Sequence, residues 1–591
     1  MHLLDLSGAL LPASPSSAIL TLAGLLLFLY LCHVNHGLGG TPDVVERVAV
    51  KPWTEEELRE TYDELKKNPI DVTPHLPPKQ NRRYIVTGGT GCKPMAPTDA
   101  NSAGLVGGAI VQQLLLRGED PSLVRILDIR APTPKVAGSL RRARDLSRAH
   151  FVPVDVGSKD SVDQAFALPW PSHGADLPLT VFHTAAVIRV SERHSSLLPL
   201  SSRVNETGTA HVLDAARAAG ADVFVATSSG SIAIRPVNFW LAPWRRWPVG
   251  YYQRLTDADY DLRRPHGGYY GNYPESKARA EALVRAADDC DAGFRTGCIR
   301  PASGVYGSRF DNTVGAYLRT GGGPDWLGHI INNFVYTGNV ALAHLLYEQV
   351  LISPSRKKKE EEPVNSEDER GNQDGSPAQG QEETGIQDQT VQIKTDDDDD
   401  DDEDAHDLGG QAFTIVDPTP PIRFYDLHRL HLTLVHSPMR FFHVAPIIPF
   451  LLSYLIELYS LFYHLGAHPL ANWLRASKAT TALPSRMAGD FLAMLFPPLG
   501  GLPVLLQPAL FGISSVHLDY GDELARRPQE EGGLGYEGAW GTMEGMVSQV
   551  VEWNEEWDEL HGGKGKRGGA EKMEVRVDGE VPAGGDEGVG K

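Results

Sequence analysis

Residues 82–116 read "RRYIVTGGTGCKPMAPTDANSAGLVGGAIVQQLLL". A short apolar run (Arg83–Thr87) leads into glycines, and an apolar helical stretch (Val106–Leu116) leaves them. Such a strand–turn–helix junction needs glycine because its backbone must pass close to a phosphate held at the helix N-terminus. Between the two halves lie residues that such a turn does not use. With Cys92 through Gly104 removed, the junction reads "VTGGTGLVGGAIV". The candidate cofactor-binding glycines on the two sides of the insertion are Gly88, Gly91, Gly104 and Gly107. A lone glycine pattern is weak evidence, so the rest of the chain has to support it.

It does so in order. "RILDIR" ends a second apolar run with Asp128, 21 positions after Gly107, where an acid accepts from the adenosine ribose hydroxyls and favours NAD over NADP. "VPVDV" presents Asp155 and Val156 at a strand end, suited to flanking an adenine. "VFHTAA" places the small Ala185 and Ala186 where backbone and cofactor approach. "VATSSGS" offers Ser228 and Ser229, of which Ser229 is preferred as the partner hydroxyl. "NYPESK" sets Tyr273 and Lys277 four apart, on one helix face. A nearby ammonium and an oxidised nicotinamide both stabilise a phenolate. A tyrosine so tuned takes an alcohol proton while hydride leaves the same carbon. Pro301, closing "GCIRP", completes the cofactor-contacting set. No spacing typical of a metal site occurs among the four cysteines, and no metal is expected.

Strand-like runs alternate with amphipathic stretches from Arg82 to about Tyr347. This predicts an α/β fold, a Rossmann-type doubly wound parallel sheet covered on both faces. The expected division is 1–40, an N-terminal membrane anchor; 41–81, a linker or amphipathic segment; 82–350, the NAD-binding catalytic domain; 355–408, a disordered acidic insertion; 409–555, a smaller substrate-binding or lid region; and 556–591, a flexible tail. The anchor rests on "SAILTLAGLLLFLYLC" (Ser17–Cys32), with no Lys or Arg before it and Arg47, Lys51, Lys66 and Lys67 after it. The positive-inside rule then leaves the downstream chain in the cytosol. Residues 441–467 are read as an apolar helix lying in a membrane interface, because Pro446, Pro449 and Glu457 disfavour a clean span.

The 591 residues carry a net charge of −21, and residues 356–407 supply 14 of those charges. That excludes a general affinity for nucleic acid. The acidic tract holds seven consecutive aspartates, too polar to offset its ordering entropy and without the geometry of a calcium loop. Asn205, in "RVNETGT", fits a glycosylation sequon, but its place on a helix beside the sheet calls for a structural hydrogen-bonding role.

Together "VTGGTG…GLVGGAIV", "RILDIR", "VFHTAA", "RVNETGTAHVLDAARAAGADVFVATSSGS", "YPESKARAEALV", "IRPASGVYG" and "FVYTGNVALAHLL" resemble the extended short-chain dehydrogenase/reductases. The closer resemblance is to the 3β-hydroxysteroid dehydrogenase family, and within it to the decarboxylating sterol-4α-carboxylate 3-dehydrogenases. The resemblance implies that Tyr273 accepts the proton, Lys277 lowers its pKa and holds the nicotinamide ribose, and Ser229 orients the substrate oxygen. It implies NAD as cofactor, a sterol or steroid substrate, the endoplasmic reticulum membrane, and company with other enzymes of sterol C4 demethylation. A homodimer stays open. Alternatives are a 3β-hydroxysteroid dehydrogenase/isomerase, a nucleotide-sugar epimerase or dehydratase, and, should the inserted residues block the turn, a non-catalytic membrane-anchored NAD-binding protein. The insertion itself is read as a translated intron of 13 in-frame codons with GT and AG boundaries, or as a loop extruded from the surface.

Overall fold

A computed structural model describes residues 15–90, 104–133, 140–352, 407–476, 483–497 and 506–561. Gly91, the inserted residues 92–103 and nearly all of the acidic tract lie outside the described residues, as does the chain beyond His561.

Seven strands form one parallel sheet: β1 (Arg83–Thr87), β2 (Val124–Asp128), β3 (His150–Pro153), β4 (Leu179–His183), β5 (Val223–Thr227), β6 (Arg295–Pro301) and β7 (Ala412–Ile415). Their spatial order is β7-β6-β5-β4-β1-β2-β3. β1 pairs with β2 on one side (Val86 with Ile126) and with β4 on the other (Val86 with Phe182). The order therefore reverses between β1 and β4, and a crevice opens there beyond the strand C-termini. β1, β2 and β4 read as nearly continuous apolar runs because both faces are covered. On one face, α2 (Leu105–Leu116) packs with α5 (Thr337–Ile352) through Ile110, Leu114, Val340 and Ala341. On the other, α3 (Gly208–Ala218) and α4 (Asn272–Ala286) bury Val212, Ala216 and Val284 against Ile85, Val181 and Phe224.

The edges of the expected segments move. The N-terminal helix α1 runs from Pro15 to Leu38, well past Cys32. At about 1.5 Å per residue it is long enough for a bilayer core, yet its last turns belong to the body. Val34 and Leu38 are buried, and Leu38 O accepts from Tyr251 Oη at 2.7 Å and His329 Nε2 at 2.9 Å. Residues 41–81 hold the helix Glu55–Lys67, started by a Thr54–Glu57 capping box, with Leu58 and Leu65 buried beside the C-terminal helix Thr542–His561. That helix extends through the predicted start of the flexible tail, and its Glu556 pairs with Arg309 at 3.3 Å. Asp407 and Leu408, inside the expected acidic insertion, are folded: Asp407 pairs with Arg295, and Leu408 O accepts from Tyr347 Oη at 2.7 Å.

The stretch 441–467 is not one helix. Arg440–His443 is a strand paired with Gly322–Asp325. Helix α6 (Ile447–Phe462) follows, then a π-helical turn at Tyr463–Ala467 and a helix to Ala476. Pro446 sits at the N-cap of α6 and Pro449 in its first turn, where a missing N–H costs nothing. Among the described residues, Ser16–Val48 and Ile447–Arg475 are the two helical stretches long and apolar enough to cross a membrane.

Candidate active site

The glycine turn closes although the chain is interrupted. Gly88 has φ +68° and Gly104, the N-cap of α2, has φ +92°, both in the left-handed region that favours glycine. A Cβ on Gly107 would lie 2.5 Å from Thr184 Oγ1, 2.7 Å from Gly88 O and 3.0 Å from Gly89 Cα. The two halves therefore touch. Removing residues 91–103 leaves the same sequence as removing 92–104, and Gly104 is the glycine that occupies the place before "LVGG". Arg142 secures the start of α2 by donating to Leu105 O at 2.6 Å.

Asp128 ends β2 and is buried. Its Oδ2 accepts from the Thr90 backbone N–H at 3.1 Å, which fixes the carboxylate beside the turn. Burial raises its pKa, while the N–H groups of Thr90, Ile129 and Arg130 oppose that rise. Ala185 N and Cα would each lie 2.8 Å from a Cβ on Gly88, so the small residues of "HTAA" let β1 and β4 converge; Ala186 follows in the same segment. Below them, buried His183 bridges Thr87 Oγ1 (2.8 Å) and Thr209 Oγ1 (2.9 Å). Its pKa falls to about 3 through burial, so the ring is neutral.

Asp155 lies beyond β3, which ends at Pro153, rather than at the strand end. It pairs with Arg203 and accepts from Gly157 N at 2.9 Å. Val156 joins the core with Ile85 and Leu127, and its carbonyl faces His211 Nδ1 at 3.0 Å. Pro301 ends β6 beside Gly230, whose added Cβ would stand 2.9 Å from Pro301 O.

α4 carries the chemistry. Tyr273 and Lys277 are both buried. Lys277 Nζ donates to Thr227 O, at the end of β5, at 2.6 Å, and burial brings its pKa down to about 8. The next two residues divide their roles. Ser228 Oγ donates to Glu281 Oε2 at 2.5 Å, away from the phenol. Ser229 hydrogen-bonds to Tyr273 and shares a 2.8 Å contact with Ser231 Oγ. The Tyr273 pKa itself is moved upward. Burial raises it, because a phenolate loses its hydration there, and the hydrogen bond from Ser229 only partly opposes this.

One feature went unread in the sequence. Glu281 continues the Tyr273–Lys277 face by one more turn and pairs with buried Arg300, which also pairs with Asp257 at 3.2 Å. Its i+4 spacing from Lys277 is the signal that marks it. Asn205 lies in a π-helical turn, Arg203–Thr207. There its amide bridges Val187 N (2.8 Å), Val187 O (3.0 Å) and Ser276 Oγ (2.9 Å), locking the chain after β4 to α4.

The 3-beta hydroxysteroid dehydrogenase/isomerase family matches residues 101–366. That segment, somewhat under half of the chain, is similar in sequence to this family. The matched segment starts after β1, so Gly88 enters the assignment through its contact with Gly107. Protein 052L of Frog virus 3 (isolate Goorha), named as uncharacterized, is 32% identical over 209 residues, 33% of this chain and 52% of that protein. The 3beta-hydroxysteroid-dehydrogenase/decarboxylase isoform 1 of Arabidopsis thaliana is 29% identical over 221 residues, 36% of this chain and 43% of that protein. The decarboxylating sterol-4-alpha-carboxylate 3-dehydrogenase of Saccharomyces cerevisiae is 30% identical over 156 residues, 26% of this chain and 40% of that protein. The chain thus spans about half the length, or less, of the curated relatives it matches.

Proposed function

We propose that this short-chain dehydrogenase/reductase oxidises the 3β-hydroxyl of a membrane-borne sterol, one bearing a 4α-carboxylate, with NAD as cofactor. The observation that carries the reading is the buried Tyr273 beside Ser229, with Lys277 one turn along the same helix. The names of the plant and yeast relatives support the substrate class. Asp128 supports NAD over NADP, since a buried acid repels a 2′-phosphate. Gly88, Gly104 and Gly107 would hold the pyrophosphate and Asp128 the ribose hydroxyls; the cofactor, when bound, accepts the hydride from C3.

Ser229 would orient the substrate hydroxyl, and Tyr273 would take its proton as the C3–H bond breaks. Lys277, fixed on Thr227 O, would present its remaining N–H bonds to cofactor and phenol. The product is a 3-ketone with a carboxylate on the adjacent carbon. The C4–carboxylate bond then breaks, CO2 leaves, and the electron pair passes to the ketone as an enolate that is later protonated. No further catalytic residue is required.

The outward apolar faces of α1 and α6 support a lipid substrate over a sugar nucleotide. They also support a place on the endoplasmic reticulum membrane with the catalytic body in the cytosol, near other enzymes of sterol C4 demethylation. The test is a cofactor-reduction assay with sterol 4α-carboxylates, simple 3β-hydroxysteroids and UDP-sugars, each with NAD and NADP. Preferential turnover of the sterol acid with NAD and release of CO2 is expected. Turnover of UDP-sugars alone, or cofactor binding with no turnover of any substrate, overturns the reading.

A further inference from the structure

Glu457 is the only Asp, Glu, Lys or Arg between Arg440 and Arg475. An acid on so apolar a helix costs several kcal/mol unless it is paired. Its partner comes from the catalytic body. Arg193 meets it with both arms of its guanidinium: Nε to Oε1 at 2.7 Å and Nη2 to Oε2 at 2.7 Å. The guanidinium also covers the ring of Tyr454, one turn earlier on α6, at 5.5 Å. Glu457 is 14% exposed and Arg193 41%, so the bidentate pair is geometrically specific, with its carboxylate covered and its guanidinium partly open to water.

The backbone around Arg193 grips the start of α4. Glu192 O accepts from Asn272 N at 2.8 Å and His194 O from Asn272 Nδ2 at 3.0 Å. Arg193 O faces His266 Nε2 at 2.9 Å, and the other nitrogen of that ring meets Glu275 at 2.5 Å. Asn272 and Glu275 flank Tyr273 on α4. Upstream, Val187 is held by Asn205. Residues 192–194 are therefore fixed to the start of α4 and, through Arg193, to α6, while Val187 reaches α4 through Asn205.

We propose that Arg193 and Glu457 are positioning residues that couple the seating of α6 on a lipid surface to the first turn of α4, and so to the placement of Tyr273. This rests on the membrane reading of α6 given above. It assigns the acid on the apolar helix a role that membrane insertion alone does not call for.

The test uses the full chain with sterol presented in phosphatidylcholine vesicles. Arg193→Glu and Glu457→Arg should each lower kcat/KM about fivefold, a coupling ordinary for a bidentate pair with one partner half-exposed, and leave the NAD dissociation constant unchanged. The double exchange should recover most of the loss. A double variant as impaired as the singles, or singles without effect, overturns the proposal. If Glu457→Arg does not fold, Glu457→Gln takes its place with a smaller loss in the same direction. Amide exchange separates this proposal from the substrate assignment. Vesicles should slow exchange at 272–275 in the wild type and the double variant but not in the singles, whatever the substrate. Equal slowing in all four proteins, or none in the wild type, refutes the coupling even if sterol turnover is intact.

Discussion

A methyl group added at Gly107 would meet Thr184 Oγ1 at 2.5 Å, whereas the side chains of Leu455 and Leu458 on α6 stand 64% and 67% exposed. The two regions solve different problems. The cofactor side works with backbone: glycines in left-handed conformations, buried small residues, and a carboxylate held by a peptide N–H. Its tolerances are fractions of an ångström because two peptide segments must touch and still leave room for a ligand. The α6 side works with large side chains. Its inner positions, Phe450, Ser453 and Ile456, are buried, and its outer leucines are largely exposed. A precise cradle beside an unfinished surface is what a chain needs if its cofactor comes from water and its substrate from lipid.

The sharpest way to break this contrast is at the candidate proton acceptor. Tyr273→Phe should cut turnover by roughly a thousandfold, within the usual range for a lost general acid–base group. Cofactor affinity and the melting temperature should hardly change, since Ser229 keeps Ser231 as a partner. Steady-state turnover and a cofactor titration on the same preparation check this. Retained activity would mean that the chemistry lies elsewhere in the crevice.

Next in size is Gly107→Ala. The added carbon has no room against Gly88 O and Gly89 Cα, which are backbone and cannot turn aside as a side chain would. Overpacking of this kind costs about 1–3 kcal/mol. Cofactor affinity should fall about tenfold or more, because α2 must back away from the turn. Thermal melting with and without cofactor measures both effects. An unchanged protein would show that the turn is looser than its contacts imply, and the cofactor side would lose its claim to precision.

The same contrast explains what could be read from the sequence. The parallel sheet and the candidates Gly88, Gly107, Asp128, Ser229, Tyr273 and Lys277 were legible because each is written into a short local pattern of a few residues. Even the choice of Ser229 over Ser228 agrees with the hydrogen bonds, although nothing in "TSSGS" shows that Glu281 takes the first serine. What was misread depends on partners distant in the chain. Leu38 O bonds to Tyr251 and His329, so the anchor ends inside the body. Glu457 meets Arg193, 264 positions away, which no periodicity announces. Arg440–His443 pairs with Gly322–Asp325, so part of an apolar run becomes a strand. The burial of Tyr273 was not legible for a related reason. Charge neighbours are visible in a motif, but the depth of burial that outweighs them is not.

The smallest effect expected on the folded protein comes from the far end of the comparison. Leu455→Gln with Leu458→Gln removes two large apolar groups and should shift stability by only about 0.5 kcal/mol, because exposed positions contribute little to the core. Phe450→Ala, on the buried side of the same helix, should cost about 3–5 kcal/mol, since its ring packs against Phe239 and Phe511 at 6.0 and 5.2 Å between centroids. Binding to phosphatidylcholine vesicles should reverse the ranking: the double glutamine variant should bind weakly at an unchanged melting temperature. Had the outer leucines served folding instead, the pair would melt early and partition as before. The two measurements on one helix therefore tell whether its exposed face awaits a membrane or covers protein, and only the first outcome gives the Arg193–Glu457 contact a lipid surface to report.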